Sequence, residues 1–97
     1  MLDLGTGSGV LTMAAALSGA RRVIGIDVDA DAIQSAETSA RMNTLPDTLE
    51  FQVSDFRLSP PSPADVVLAN LTGGMLTSSG PQIAALVRPG GQMILSG

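Results

Sequence analysis

Four residues with chemistry to offer stand at the carboxyl ends of apolar runs: Asp3, Asp27, Asp55 and Asn70. The first opens the run Asp3-Leu4-Gly5-Thr6-Gly7-Ser8-Gly9, in which an acid precedes glycines at three alternate positions and a helix-forming segment follows at once. Glycines so spaced let the backbone take positive φ and approach a bound molecule, and the first turn of the following helix offers unpaired N–H donors. The pattern predicts a ligand loop, with a plain glycine turn between strand and helix as the alternative. Dinucleotide loops space their glycines G-x-G-x-x-G, which this run does not match. Each of the other three residues has a plainer use too. Asp27 could cap a helix, a role for which Asp29 competes; Asp55 could be a solvated turn residue, and Asn70 an Asx turn closing its strand.

The chain has no His, Cys, Lys, Tyr or Trp. That removes Ser-His and Cys-His nucleophiles, Schiff-base lysines, disulfides and His or Cys metal sites, and no metal is expected. What remains suits a transfer in which a cofactor already carries the activated group and the protein supplies position and a few polar contacts. The 97 residues, 44% hydrophobic with a net charge of −4, make one globular domain with a modest core. Without a Lys or Arg cluster, no direct nucleic-acid binding by this segment is expected. No apolar run approaches a membrane span and no signal peptide is read, so the expected location is cytoplasmic.

Strands and helices alternate through the chain. A first strand ends at Leu4; Val10, Leu11, Ala14, Ala15, Leu17 and Ser18 fall at helical spacings before Gly19, a C′ stop. Arg21–Asp27 reads as a strand buried on both faces, and Asp29 caps a helix from about Ala30 to Met42 that Asn43 and Pro46 end. Leu49, Phe51 and Val53 alternate with polar residues, as on an edge strand. The prolines of 59–63 make a loop, and Asp65–Asn70 is strand four. Thr72 to Gly80 reads either as loop or as a turn of helix around Met75; a helix with Pro81 at its first position follows, stopped by Arg88-Pro89-Gly90-Gly91, and Gln92–Ser96 is strand five. Methionines 13, 42, 75 and 93 read as packing residues. Right-handed crossovers give an α/β, Rossmann-like doubly wound sheet of mainly parallel strands in the order 3-2-1-4-5, with the ligand crevice at the carboxyl ends of strands one and four.

Taken together, Asp3 to Gly9, Gly25-Ile26-Asp27, Ser54-Asp55, Ala69-Asn70-Leu71-Thr72 and Arg88-Pro89-Gly90-Gly91 resemble, in order and spacing, the class I S-adenosylmethionine-dependent methyltransferases. Within them, Val66–Leu71 and Gly90–Gly97 look most like the enzymes that methylate ribosomal protein eleven of the large subunit. The resemblance implies S-adenosylmethionine as cofactor, held by Asp3, Gly5, Thr6, Gly7, Gly9, Asp27, Asp55 and Asn70. The Gly5 to Gly9 backbone would cradle the methionine part with Asp3 near its amino group, Asp27 would bind the ribose, and Asp55 would accept from the adenine amino group beside Phe56. Asn70 is the implied catalytic residue, accepting hydrogen bonds from an incoming amine. Methyltransferases acting on adenine or glutamine amide carry Asn-Pro-Pro-Tyr there; Asn70-Leu71-Thr72-Gly73 departs from that and fits a protein amine better. The implied partner is a large-subunit ribosomal protein. A small-molecule or nucleic-acid methyltransferase and a non-catalytic cofactor-binding remnant stay open, as does, on weaker grounds, a dinucleotide oxidoreductase. The resemblance also makes residues 1–97 a partial methyltransferase domain, lacking the last two strands of the full fold and a separate amino-terminal substrate domain. Such a chain alone is expected to be marginally stable and prone to associate through its last strand.

Overall fold

The computed structural model describes residues 1–43, 45, 47–71 and 73–96. Its elements are β1 (Leu2–Leu4), α1 (Val10–Leu17), β2 (Val23–Asp27), α2 (Ala30–Met42), β3 (Leu49–Val53), β4 (Ala64–Asn70), α3 (Gly73–Ala84) and β5 (Val87–Ser96). All four strand pairings are parallel and the order is β3-β2-β1-β4-β5, as the alternation of apolar strands and helices predicts. Helices α1 and α2 contact β2 and β3, whereas α3 contacts β4 and β5. Right-handed crossovers out from β1 in both directions account for that division.

Strand β1 serves both layers. Leu2 and Leu4 join Ile26, Phe56, Val67, Ala69, Ile83 and Leu86 in one buried cluster, and fully burying each of these side chains larger than alanine contributes about 1.5–3 kcal/mol. Asp3, between them, points the other way and bonds to Thr12 of α1. On that side Ile33 and Ala36 of α2 are buried, and a side chain at Gly25 of β2 would come within 2.8 Å of both Phe51 Cδ1 and Thr6 Oγ1. Only a residue without Cβ leaves room there for the Phe51 ring and the Thr6 hydroxyl.

Several helix ends are local and follow the sequence. The end of α1 is a Schellman motif, with Gly19 at φ 94, its N–H donating to Ala16 O and the Ala20 N–H to Ala15 O. Asp29 caps α2 by accepting from the Asp31 N–H at 2.9 Å, and Asn43 follows its last turn. Pro46, expected to help end α2, lies outside the described residues, as do Thr72 and Gly97.

Four expectations are corrected. The buried face of α1 is Thr12 and Ala16, while Val10, Leu11 and Leu17 are 65%, 51% and 68% exposed, because the helix meets the sheet through its short side chains. Helix α3 begins at Gly73 and carries Pro81 inside it. Ser79 and Ile83, four residues apart, are buried on one face, with Leu86 buried just past the helix end, and that packing holds the helix together across a residue that cannot donate its N–H. Strand β5 starts at Val87: Val87 and Gln92 pair with Ala64 and Val66, so the expected turn Arg88–Gly91 is a bulge within the strand, with Gly90 at φ 81. The methionines are not uniformly packing residues, since Met42 and Met93 are exposed.

Candidate functional site

The glycine loop leaves β1 and leans over β2, the N–H groups of Gly5 and Thr6 both donating to Ile26 O at 2.8 and 2.9 Å. A turn closed by Gly9 N–H to Thr6 O, 2.9 Å, brings the chain to α1. Gly5, Gly7 and Gly9 have φ of 72, 56 and 81, left-handed values that favour glycine at each. Their surroundings differ. A Cβ at Gly5 would lie 2.7 Å from Asn70 O, one at Gly9 would lie 2.8 Å from Phe51 Cζ, and one at Gly7 would meet nothing within 4 Å among the described residues. The loop is thus pressed onto β4 at its start and onto Phe51 at its end, and open in the middle.

Asp27 joins three loops. Its Oδ2 accepts from the Gly7 N–H and its Oδ1 from the Asp29 N–H, both at 3.0 Å, and its backbone carbonyl accepts from the Ser54 N–H at 3.0 Å. With Asp29 serving as the α2 cap, the Asp27 carboxylate is left for the rim, where each oxygen keeps a further lone pair. Asp55 opens the turn after β3 and is gripped by Arg57, whose Nε donates to Oδ1 at 3.0 Å and Nη2 to Oδ2 at 2.9 Å, while the Arg57 N–H also donates to Oδ1. Those Arg57 hydrogen bonds hold the Asp55 carboxyl below the ordinary carboxylate value.

Gly5, Asp27, Asp55 and Asn70 line one cavity of about 240 Å³ at the carboxyl ends of the strands. Ile26, Val28, Phe56, Leu71 and Met75 give it apolar walls. Apolar walls with carboxylates on the rim suit a ring bearing an amino group joined to a polyol, that is, a nucleoside. Two larger clefts, about 410 Å³ beside α2 and β3 and about 650 Å³ at the amino ends of the strands, contain none of the expected site residues. In an open parallel sheet the ligand end is the carboxyl end.

The remaining expected residues sit under or beside that cavity. Asp3 is 1% exposed and lies beneath the loop, its Oδ2 accepting from Thr12 Oγ1 at 2.6 Å and from Thr6 Oγ1 at 3.1 Å. Burial pushes its carboxyl above the ordinary value; the Thr12 and Thr6 hydroxyls oppose that, and the negative charge of Asp27 adds to it. Its Oδ1 is buried without a partner among the described residues. Thr6 is buried beside Asp3, and Gly7 and Gly9 shape the loop without lining the cavity.

Sequence reading missed three participants. Thr12 was hidden in an apolar helix, where a single hydroxyl among alanines and leucines was the available signal. Arg57 stands two residues after Asp55, the spacing of an Asx-type turn in which a side chain can reach back. Met75, read as packing, is on the cavity wall. Among the described residues no group of His, Cys, Asp or Glu is arranged to hold a metal ion, and no helix is long and apolar enough to cross a membrane.

Comparison with known proteins gives a consistent picture. The ribosomal protein L11 methyltransferase of Azotobacter vinelandii is 45% identical over 97 residues, which is all of this chain and 33% of that protein. The protein of the same name from Heliobacterium modesticaldum is 40% identical over 97 residues, 31% of its length. The chain spans about a third of the length of the curated relatives it matches. Among solved structures, the ribosomal protein L11 methylase of Lactobacillus delbrueckii subsp. bulgaricus superposes with a TM-score of 0.89 at 31% identity, over 99% of this chain and 50% of that one. An RNA methyltransferase from Salinibacter ruber, solved in complex with S-adenosyl-L-homocysteine, superposes with a TM-score of 0.87 at 28% identity, over 97% of this chain and 61% of that one. The family model of ribosomal protein L11 methyltransferase (PrmA) matches residues 1–97, and the chain belongs to that family.

Proposed function

We propose that residues 1–97 are the cofactor-binding part of a methyltransferase domain that uses S-adenosylmethionine to methylate amines of ribosomal protein L11 in the cytoplasm. The observation that carries this reading is the single rim on which Asp27 ties the glycine loop to the turns after β2 and β3, beside a cavity shared by Gly5, Asp55 and Asn70. At about 240 Å³ the cavity is smaller than the usual ligand pocket of roughly 300–1,000 Å³, a size for the nucleoside end alone. The open backbone at Gly7 is left for the amino-acid end.

When bound, the cofactor supplies a methyl group already activated by a sulfonium. The chain's own residues do the rest by position. Asp27 and Asp55 keep acceptor lone pairs for ribose hydroxyls and an adenine amino group, and both are already oriented by N–H donors. The unpartnered Asp3 Oδ1 fits the same cofactor, since a carboxylate under the loop favours an ammonium above it. Asn70, at the end of β4, offers its side-chain carbonyl as acceptor to an incoming amine and so orients the lone pair, while the proton that a protein amine must lose before attack passes to water. No acid or base on this chain is required, because an in-line displacement on an activated donor gains most from alignment and exclusion of water.

The test is calorimetric titration of the full-length protein with S-adenosylhomocysteine, with D27N as comparison. D27N puts an amide nitrogen against a backbone N–H donor and removes a charged acceptor, a loss of about 1.5–3 kcal/mol, or 10- to 150-fold in affinity. Methylation of L11 by the parent protein, read by mass spectrometry, then tests the substrate. A parent that binds NAD more tightly than S-adenosylhomocysteine would overturn the assignment.

A further inference from the structure

We infer that Thr12 is a positioning residue for the glycine loop, holding Asp3 and Thr6 in a closed cluster of two hydroxyls and one carboxylate that sets the loop shape presented to the cofactor. The inference deepens the proposed function and rests on it for the identity of the ligand.

Helix α1 gives the first reason. It turns Val10, Leu11 and Leu17 outward and buries the Thr12 side chain completely. Burying a hydroxyl is unfavourable unless it is hydrogen-bonded, so packing alone would have favoured alanine or valine at this position. Thr12 is bonded twice, donating to Asp3 Oδ2 at 2.6 Å and standing 2.6 Å from Thr6 Oγ1.

Proton counting shows which member is central. Thr6 and Thr12 carry one hydroxyl proton each, while the cluster has three contacts, the third being Thr6 Oγ1 to Asp3 Oδ2 at 3.1 Å. With Asp3 ionised, two protons serve three contacts: Thr12 donates to Asp3 Oδ2, and the Thr6 proton is shared between Thr12 Oγ1 at 2.6 Å and Asp3 Oδ2 at 3.1 Å, so that the two short contacts run as a chain from Thr6 to Thr12 to Asp3. Thr12 is the middle of that chain. Without its hydroxyl, Thr6 keeps a single 3.1 Å bond, and Asp3 has one donor on Oδ2 and none on its buried Oδ1.

The neighbouring strand is shaped for the cluster. A Cβ at Gly25 of β2 would lie 2.8 Å from Thr6 Oγ1, so the hydroxyl occupies space that a glycine leaves open. Thr6 is also the residue whose orientation sets the loop amides. Its carbonyl accepts from the Gly9 N–H, and the next N–H, that of Gly7, donates to Asp27. A path of hydrogen bonds therefore runs from the interior of α1 to the carboxylate proposed to hold the ribose.

The experiment uses the full-length protein with T12V, T12S and T12A, and two readouts: affinity for S-adenosylhomocysteine, and hydrogen exchange at the Gly7 and Gly9 amides without ligand. T12V keeps the shape and loses the hydroxyl; T12S keeps the hydroxyl and loses a methyl. Positioning predicts that T12V weakens binding by about tenfold and speeds exchange at both amides, while T12S stays within about twofold of the parent. A space-filling role predicts the reverse ranking, and that result overturns the inference. If T12V does not fold, T12S against T12A decides, since the two differ by the hydroxyl alone; equal affinities and equal exchange overturn it. If the parent fails to bind S-adenosylhomocysteine yet loses amide protection in T12V, the ligand assignment fails and the positioning of the loop by Thr12 stands.

Discussion

Gly5 and Gly7 are two residues apart on one loop, and adding a methyl group to each has consequences that differ in kind. Both have positive φ, 72 and 56, so G5A and G7A share the penalty of a left-handed backbone for an L-residue, about 1–2 kcal/mol. At Gly7 that is the whole stability effect, since nothing among the described residues lies within 4 Å of the new methyl. At Gly5 the methyl would stand 2.7 Å from Asn70 O and 2.8 Å from Leu71 Cδ2, separations that force the end of β4 away, and overpacking of that kind adds about 1–3 kcal/mol. The expected losses are then about 2–5 kcal/mol for G5A and about 1–2 for G7A. Native-state hydrogen exchange of the full-length protein reads them at the Gly or Ala 5 and Thr6 amides, both bonded to Ile26 O. Protection there should fall by roughly thirty- to several-thousandfold in G5A and by roughly five- to thirtyfold in G7A, at about 1.4 kcal/mol per factor of ten. Cofactor affinity should rank differently, because the G7A methyl projects into the open space assigned to the ligand. A G5A protein no less protected than G7A would refute the claim that contact with β4, and not backbone conformation alone, requires glycine at position 5.

Three further outcomes follow from groups already described. The Asp3 carboxyl is raised by burial, so its neutral form favours the folded state; that stability is fully present below the ordinary value of 3.8 and is lost as pH rises through the raised folded value. D3N should flatten that stretch of the stability–pH profile, and parallel profiles for the two proteins would contradict the assignment. Asp55, held down by Arg57, has the opposite sign: its contribution is present above the ordinary carboxylate value and is lost as pH falls through the depressed one, and D55N should remove this acid limb. Strand β5 exposes Met93, Ile94 and Leu95 at 42%, 54% and 50%, on a strand that, among the described residues, is paired on one side only, by β4. The 97-residue chain by itself should associate and I94K should reduce that in light scattering; a monodisperse monomer with a cooperative transition near about 60 °C would count against it.

The sheet order was legible because each strand is a short apolar run separated by helix-length segments, and right-handed crossovers leave few ways to connect them. The same alternation set Asp3, Asp27, Asp55 and Asn70 at strand ends, and the cavity includes three of the four. What escaped reading depends on contacts between distant residues. Periodicity placed Val10, Leu11 and Leu17 at helical spacings, yet the inner face of α1 is fixed by the bond of Thr12 to Asp3, nine residues upstream. Pro81 was read as a helix start because its missing N–H is harmless there; the burial of Ser79, Ile83 and Leu86 overrode that preference. The competition between Asp27 and Asp29 for the α2 cap could be stated from sequence but needed geometry, which gives the cap to Asp29.

Strand β1 is three residues long, with leucines facing one layer and an aspartate the other, and it is paired on both edges. Its side chains alternate with a period of two, so a slip of one residue against β2 and β4 would reverse its parity: a carboxylate would enter the apolar layer and a leucine would sit beneath the glycine loop. Mispairing cannot yield a folded molecule with a damaged loop, or an intact loop on a damaged core, since one shift ruins both together. The alternation in Leu2-Asp3-Leu4 thus acts as an error check on assembly, admitting a single alignment of the central strand and making a competent rim a mark of correct folding.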